Sequence, residues 1–581
     1  MGSSRRRSAA LGRAVYFRAM RSVLVLAGAL PLFAPGTRAQ GPLRQAPQEL
    51  NALEASRVGE LVSRLPDASM GENGLVVAIG GDDCPVSLRY RPALGRLEES
   101  YRSRGIGFVS LDVKSVEGER FAHSLEATTT SEVFLFDRAR TLRYRGAIDD
   151  QYGIGYSKPA PTKSYLSDAI DRLLASGEIA VEATTAPGCV LALEGAAMPE
   201  TITYHNRVSR ILQRNCQSCH RPSGAGPFAL ETYEAARDVA PMIAFVVENG
   251  IMPPWFADPG TGHWANDRSL SERDRKALLE WATNGAPAGD PADAPIPRTF
   301  TAGWSIGTPD AVVEIAEPFA VPAEGFVDYQ YVYVKTDFPE DRWIEKMEIL
   351  PTAPQVTHHV LVFLEEPGRK DIDDPERKPG EPAFQGGLRG YFASTVPGQQ
   401  PTVYPEGMAK LLPKGGWLKF QIHYTPNGSP ASDRTRMGFV FADGHPRFPV
   451  ATGSAAEVEF EIPPGSPNHE VAATYRFERD SVVLSFFPHM HLRGKAYRYE
   501  LTYPDQRREV LLDVPRYDFN WQLHYKFAEP LAVPAGSVLT ATGWFDNSPG
   551  NPANPDPSRK VGFGEQSFDE MQIGYFDYYV P

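Results

Sequence analysis

Histidines at spacings suited to metal binding occur in three short segments of the second half of the chain. They are His358 with His359, His423, and His489 with His491. Residues two apart on a β-strand share a face, whereas adjacent residues point to opposite faces. The spacing therefore predicts that His489 and His491 lie on one face. The adjacent pair needs a strand end or a bulge before both rings can reach one ion.

A methionine near the C-terminus, Met571, extends this series. Three imidazoles would form one site, and two imidazoles with a thioether would form another. Both ligand sets suit copper that cycles between Cu(I) and Cu(II). A lone histidine is more often structural or on the surface, and we assign His445, His469 and His524 to that class.

The segment Cys216-Gln217-Ser218-Cys219-His220 has the spacing at which a c-type haem is attached. The thiols of Cys216 and Cys219 would add to the haem vinyl groups, and the imidazole of His220 would bind the iron. A zinc site is the rival interpretation, but the sequence has no second cysteine pair to complete it. Met252, in a Met-Pro context that resembles cytochrome c proteins, is the predicted sixth ligand, with Met242 as the competitor.

The two remaining cysteines are Cys84 and Cys189. Cys84 is predicted at the start of a helix, where the helix dipole lowers the pKa of a thiol. Its position between a strand and a helix resembles that of the nucleophilic thiol in thioredoxin-like redoxins, although Ser87 replaces the second cysteine of their CxxC motif and Ser131 their usual cis-proline. Cys189 is a candidate partner of Cys84, either in a redox pair or in a structural disulfide.

The elements around these residues predict a multidomain chain. Strands and helices alternate in 45–190, which predicts an α/β domain, of thioredoxin-like type by the resemblance above. Region 195–290 is predicted to be mainly helical and cytochrome c-like. After the Pro-rich stretch 286–297, short strands with Pro and Gly turns predict two β-sandwich domains, 298–450 and 451–581.

The start of the chain and its charge restrict location and partners. Residues 1–39 combine an arginine-rich beginning, the apolar stretch 23–33 and small residues up to Ala39, which is typical of a signal peptide. We predict cleavage near Ala39, export to the periplasm or the medium, and no transmembrane segment after cleavage. The net charge of −13 argues against nucleic acid as a partner.

The histidine segments resemble the copper type II, ascorbate-dependent monooxygenases, which include peptidylglycine α-hydroxylating monooxygenase and dopamine β-monooxygenase. The resemblance covers roughly 304–581 and includes the turn Leu412-Pro413-Lys414-Gly415 and the pair Glu570-Met571. It implies two jelly-roll domains with an open, solvent-filled cleft between an electron-transfer copper and an oxygen-activating copper. The implied ligands are His358, His359 and His423 for the first ion, and His489, His491 and Met571 for the second.

The chain departs from the peptide-amidating relatives at the substrate pocket. Those relatives hold a substrate carboxylate with an arginine two residues before the second histidine pair, where this chain has Phe487. Ile573 replaces one of their asparagines, and Tyr575 matches one of their tyrosines. The resemblance therefore implies a more apolar pocket and leaves open whether the substrate is a small molecule or a peptide.

The resulting hypothesis is an exported enzyme that hydroxylates a substrate C–H bond with dioxygen. Its cofactors would be two copper ions and one c-type haem, with electrons from ascorbate or a periplasmic redox protein passing through the haem to the three-histidine copper. The predicted catalytic residues are His489, His491, Met571 and Tyr575. The alternative hypothesis is a non-catalytic copper and haem protein that transfers electrons or handles copper.

Overall fold

The computed structural model describes most of the chain beyond the predicted leader. The described residues are 47–50, 57–62, 65, 70–81, 84–153, 156–175, 177–191, 201–222, 224–300, 303–365, 370–371, 383–384 and 390–581. The predicted signal peptide and its cleavage site lie outside these residues. None of the helices in the described part of the chain is both long and apolar enough to cross a membrane.

The N-terminal module, 47–191, is an α/β layer. Its elements are β1 (Gly74–Gly80), α1 (Pro85–Arg102), β2 (Ile106–Asp112), α2 (Val116–Ser124), β3 (Val133–Asp137), β4 (Leu142–Gly146), β5 (Tyr152–Gly153), β6 (Tyr156–Ser157) and α3 (Tyr165–Ala175). The sheet has the order β2-β1-β3-β4, with β1 parallel to β2 and antiparallel to β3. Strand β1 is an almost continuous apolar run because separate apolar clusters cover the two faces of the sheet. The predicted α/β class is confirmed.

The helical module, 201–300, contains short helices joined by long irregular stretches. Its elements are a π-helical turn (Tyr204–Val208), α4 (Ser209–Asn215), α5 (Tyr233–Asp238), α6 (Ala240–Glu248), α7 (Glu272–Thr283) and a 3-10 turn (Pro291–Asp293). Its apolar core surrounds Trp281, which is fully buried. The specific cytochrome c-like fold stays a prediction.

The rest of the chain is β-rich, as predicted. The first sandwich contains β7 (Ala311–Glu314), β8 (Phe319–Val321), β9 (Gln330–Lys335), β10 (Arg342–Leu350), β11 (Thr357–Glu365), β12 (Lys370–Asp371), β13 (Ala383–Phe384), β14 (Tyr391–Thr395), β15 (Thr402–Val403), β16 (Met408–Leu412), β17 (Trp417–Tyr424), β18 (Ala431–Asp433) and β19 (Arg436–Phe441). The second contains β20 (Phe448–Glu457), β21 (Glu461–Ile462), β22 (His469–Arg476), β23 (Ser481–His489), β24 (Gly494–Thr502), β25 (Arg508–Val514), β26 (Tyr525–Val533), β27 (Val538–Phe545), β28 (Val561–Gly562) and β29 (Gln572–Tyr579).

One nine-stranded sheet runs through both sandwiches. Its order is β26-β23-β29-β20-β16-β10-β19-β7, and β15 adds to β10. Strand β20 crosses the predicted boundary at 450, since residues 448–450 pair with β16 and residues 451–457 pair with β29. The first part of this sheet packs on β14-β11-β17-β9, and the second part packs on β22-β27-β24-β25. The jelly-roll topology of the two sandwiches stays a prediction.

Candidate metal centre

Three of the predicted ligands converge at the edge of the first sandwich. His359 on β11 lies directly opposite His423 on β17, and the pairing is interrupted by a bulge between Thr357 and His359. This irregularity, close to the beginning of β11, turns the ring of His358 toward the same space. One possible ligand atom from each histidine lies within 4.8 Å of the others. We call these three residues the first histidine group.

Two ring nitrogens of this group have no hydrogen-bond partner in the part of the chain that the structure describes. The Nε2 atom of His359 and the Nδ1 atom of His423 are buried and make no hydrogen bond to the described residues. The Nδ1 atoms of His358 and His359 lie 2.9 Å apart. Burial, reinforced by the charge of His358, lowers the pKa of His423 to about 3. Burial also lowers the pKa values of His358 and His359, so all three rings are neutral near pH 7 and retain the lone pairs that a metal ion requires.

The second ligand group consists of His489, His491 and Met571, all nearly inaccessible to solvent. The rings of His489 and His491 lie 5.3 Å apart, while Met490 between them points into the core of the second sandwich. This alternation is the arrangement that the strand period of two predicts. His489 pairs with Ile573, so the same antiparallel register extended by two residues brings Met571 opposite His491.

Hydrogen bonds hold both imidazoles of the second group. The Nδ1 atom of His489 donates to Oε1 of Gln522 over 2.6 Å, and the Nδ1 atom of His491 donates to the carbonyl of Asp569 over 3.2 Å. These bonds leave Nε2 as the lone-pair atom of each ring. Burial lowers the pKa of His489 to about 4, so this ring is also neutral.

A buried carboxylate ties the two strands of the second group together. Glu570 accepts hydrogen bonds from the backbone nitrogens of His491 at 2.9 Å, Arg493 at 2.6 Å and Met571 at 3.3 Å. The side chain of Arg493 donates to Asn547 and to the carbonyl of Phe568, which anchors the turn after the histidine pair. Glu570 therefore positions the backbone of two predicted ligands.

Aromatic rings lie between the two groups, where the resemblance implies an open cleft. The ring of Tyr329 contacts those of His359, His423 and His491 at centroid distances of 5.5, 4.9 and 6.3 Å. Phe519 also contacts members of both groups. Two buried rings therefore occupy space between the groups, and the open, solvent-filled cleft that the resemblance implies stays a prediction. The hydroxyl of Tyr329 is buried and finds no partner among the described residues.

An apolar cluster adjoins the second ligand group. Besides Met571 it contains Leu361, Phe363, Tyr391, Phe487, Ile573 and Tyr575. Tyr391 stacks on Tyr575 at 4.7 Å, and Phe487 is 2% exposed. Phe487 and Ile573 therefore lie within one buried apolar cluster beside the predicted ligands.

His524, which the sequence assigned to the structural or surface class, packs beside the second ligand group. This ring is partly buried, stacks on Phe487 at 4.3 Å, and bonds through Nε2 to the hydroxyl oxygens of Ser394 at 2.8 Å and Tyr391 at 3.0 Å. It belongs to a connecting segment, 516–527, that also supplies Phe519 and Gln522 to the two groups. The sequence offers no local signal for this role, since the contacts join residues far apart in the chain.

The predicted haem-binding residues lie in the helical module. Cys216, Cys219 and His220 follow α4, and all three are partly exposed. The Nδ1 atom of His220 lies 3.1 Å from the carbonyl oxygen of Phe228. Donation to this carbonyl leaves Nε2 as the lone-pair atom, which suits an axial iron ligand. Met252 is partly buried, whereas its competitor Met242 is 55% exposed.

The helical module contacts both sandwiches. A side chain at Gly398, in the turn after β14, would lie 2.3 Å from Sγ of Cys219, so this turn lies directly against the haem motif. On the second sandwich, the backbone of Ala265 bonds to Lys526, and Trp264 packs into the core. The connecting segment 516–527 thus touches the helical module and both ligand groups.

The predicted redox thiols meet in the N-terminal module, where the Sγ atoms of Cys84 and Cys189 lie 2.7 Å apart. Ser87 and Ser131, which replace the usual cysteine and cis-proline, share a hydrogen bond of 2.9 Å. Ser131 has a positive φ of 75° and follows a trans peptide.

No protein-family model and no curated protein matches the chain. A hypothetical protein from Sinorhizobium meliloti is 23% identical, with 21% of this chain and 81% of that one covered, at a TM-score of 0.18. An uncharacterized conserved protein from Geobacillus kaustophilus is 19% identical over 27% of this chain and 100% of that one, at 0.19. The major capsid protein P2 of bacteriophage PM2 is 9% identical over 46% and 97%, at 0.21. These TM-scores support no argument about this chain.

Proposed function

We propose that this chain is an exported, copper-dependent monooxygenase that receives electrons through a covalently attached c-type haem. The observation that carries the proposal is the first histidine group, in which three neutral imidazoles converge and two buried ring nitrogens have no partner within the described residues. Leaving such atoms unsatisfied costs about 1–3 kcal/mol each, which binding of a metal ion would remove.

The ligand chemistry supports copper in both groups. Imidazole suits copper in either oxidation state, and a thioether favours Cu(I). His358, His359 and His423 would hold one ion, and His489, His491 and Met571 would hold the other. When bound, the copper ions supply one-electron redox chemistry and activation of dioxygen.

The side chains around the second group indicate the kind of substrate. Phe487, Ile573 and Tyr575 are buried in an apolar cluster that includes Met571. A substrate that reaches the second group would therefore meet apolar side chains, which orient it by contact rather than by charge. A C–H bond in an apolar group is therefore the proposed target of hydroxylation.

The haem motif supports internal electron delivery. Cys216, Cys219 and His220 would hold the haem, with Met252 as the proposed sixth ligand, and the haem would supply one electron at a time. The turn at Gly398 lies against Cys219, and the segment 516–527 contacts both ligand groups. Export fits this assignment, because c-type haem is attached outside the cytoplasm.

Metal analysis and oxygen labelling test the proposal. The purified, haem-loaded protein should bind two copper ions and, with ascorbate, incorporate one atom of labelled dioxygen into a product detected by mass spectrometry. Met571→Ile should abolish this product while retaining copper in the first group. His469→Ala, which alters a histidine outside both groups, should behave as wild type. Equal oxygen uptake by wild type and Met571→Ile, or no labelled product from a substrate screen, would favour the non-catalytic alternative.

A further inference from the structure

The pairing of Cys84 with Cys189 is built into the N-terminal module. The backbone nitrogen of Thr130 donates to the carbonyl of Cys189 over 2.9 Å, and the nitrogen of Cys189 donates to Oγ1 of Thr130 over 3.0 Å. The nitrogen of Leu191 donates to the carbonyl of Thr128 over 2.9 Å. Together these bonds hold the segment around Cys189 beside the loop that precedes β3.

A glycine makes this approach possible. Gly188 has a φ of +155°, and a Cβ atom at this position would lie 1.6 Å from the carbonyl oxygen of Thr130. Any other residue would push the segment away from the loop. The sulfurs need to approach by only roughly 0.7 Å from their separation of 2.7 Å to reach the bond length of a disulfide.

The two sulfurs have unlike surroundings. Cys84 is 1% exposed at the start of α1, whereas Cys189 is exposed and is followed by Val190, which is 82% exposed. Burial raises the pKa of Cys84, but hydrogen bonds from Cys189, Thr130 and the backbone of Ser87 outweigh it and lower the pKa to about 7. A thiol with a lowered pKa is the better leaving group in thiol–disulfide exchange, and an exposed sulfur is the one that a reagent can reach.

We propose that Cys84 and Cys189 form a reversible disulfide that exchanges with external dithiols at Cys189. A thiolate of the dithiol attacks Sγ of Cys189, the bond to Cys84 breaks, and Cys84 leaves as the thiolate. The second thiol of the dithiol, after losing its proton, attacks the mixed disulfide and releases Cys189. Two electrons and two protons pass from the dithiol to the pair. These roles are the reverse of those expected for a helix-terminal nucleophile, and they do not depend on the copper or haem proposals.

Trapping of the mixed disulfide tests the assignment in the wild-type protein. The full chain with haem attached is oxidised, mixed with a limiting amount of reduced glutathione, quenched in acid and mapped by peptide mass spectrometry. Before glutathione addition, a peptide linking Cys84 to Cys189 is expected. Afterwards glutathione should be found on Cys189. Glutathione on Cys84, or no linked peptide under oxidising conditions, would overturn the proposal.

Single variants measure the difference in access. With iodoacetamide at pH 8, Cys189 in Cys84→Ser should react about tenfold faster than Cys84 in Cys189→Ser, because the fold shields Cys84. In urea the two rates should become similar, which shows that the difference arises from the fold. Gly188→Ala should lower the disulfide fraction at a fixed glutathione ratio, whereas Gly95→Ala, with open space around its Cβ position and no positive φ, should leave that fraction unchanged. A faster reaction at Cys84 in the folded variants contradicts the assigned roles.

Discussion

The two ligand groups bring imidazoles together by different means. In the first group, His359 and His423 are partners in a regular strand pairing, and a bulge adds His358. In the second group, the ligands lie at or beyond the last pair of β23 and β29, where the strand pairing no longer fixes them. Hydrogen bonds take the place of strand pairing there, since Gln522 holds the ring of His489 and the carbonyl of Asp569 holds the ring of His491.

This difference shows what each arrangement requires. A regular strand pair fixes the separation of opposite side chains, so His359 and His423 keep their places although one nitrogen of each ring has no partner among the described residues. Ligands at a strand end need hydrogen bonds from neighbouring residues to keep their orientation. We therefore expect the first group to be sensitive to loss of ligands and the second to be sensitive also to loss of their partners.

The largest effect is expected from His423→Ala. Removal of one of three imidazoles should eliminate binding of one copper ion, because the remaining two rings do not complete the site. Copper content after dialysis should fall from two ions to one per chain, with the second group still loaded. Two ions in His423→Ala would show that this residue is not a ligand.

Glu570→Ala should have the next largest effect, on stability. It leaves the backbone nitrogens of His491, Arg493 and Met571 without their carboxylate, at about 1–3 kcal/mol for each buried donor. The free energy of unfolding, measured in urea on metal-free protein, should fall by about 3 kcal/mol or more. The exposed Glu478→Ala serves as control and should change stability by less than about 0.5 kcal/mol. A similar change in both variants would remove the proposed role of Glu570.

Gln522→Leu tests the dependence of the second group on its partners. Loss of the bond to Nδ1 of His489 should weaken copper binding at the second group by about 10–100-fold, with the first group unchanged. Asn520→Leu is the matched variant, because Asn520 bonds to His358 over 3.2 Å. We expect Asn520→Leu to cause a smaller loss of copper affinity, at the first group. Equal losses from the two variants would contradict the contrast between the groups.

The smallest effect concerns the buried ring of His524. Burial lowers its pKa from 6.5 to about 3, so the folded protein keeps the ring neutral while the unfolded chain binds a proton below pH 6.5. Stability should therefore fall with decreasing pH over this window, by about 1.4 kcal/mol per pH unit for this residue. In metal-free protein, His524→Gln should reduce the measured slope between pH 6 and 5 by that amount. Equal slopes would show that His524 titrates normally.

Local patterns predicted much of the N-terminal module and one feature of the metal centre. The strand before Cys84, which is β1, and the helix after it, which is α1, were expected, because an apolar run bounded by glycines and an amphipathic stretch after a proline are strong local signals. The shared face of His489 and His491 followed from the strand period. Helix α2 was not predicted, and neither was the passage of β20 through both sandwiches.

The types and local spacing of the candidate ligands, the haem motif and the alternation along each strand were determined by the sequence itself, because they depend on neighbouring residues. Tertiary structure alone decided that Cys189 reaches Cys84 across 105 positions, that Tyr329 and Phe519 lie between the ligand groups, and that His524 stacks on Phe487. Such contacts depend on sheet register and on the packing of distant segments. A local pattern of residue types does not specify either of them.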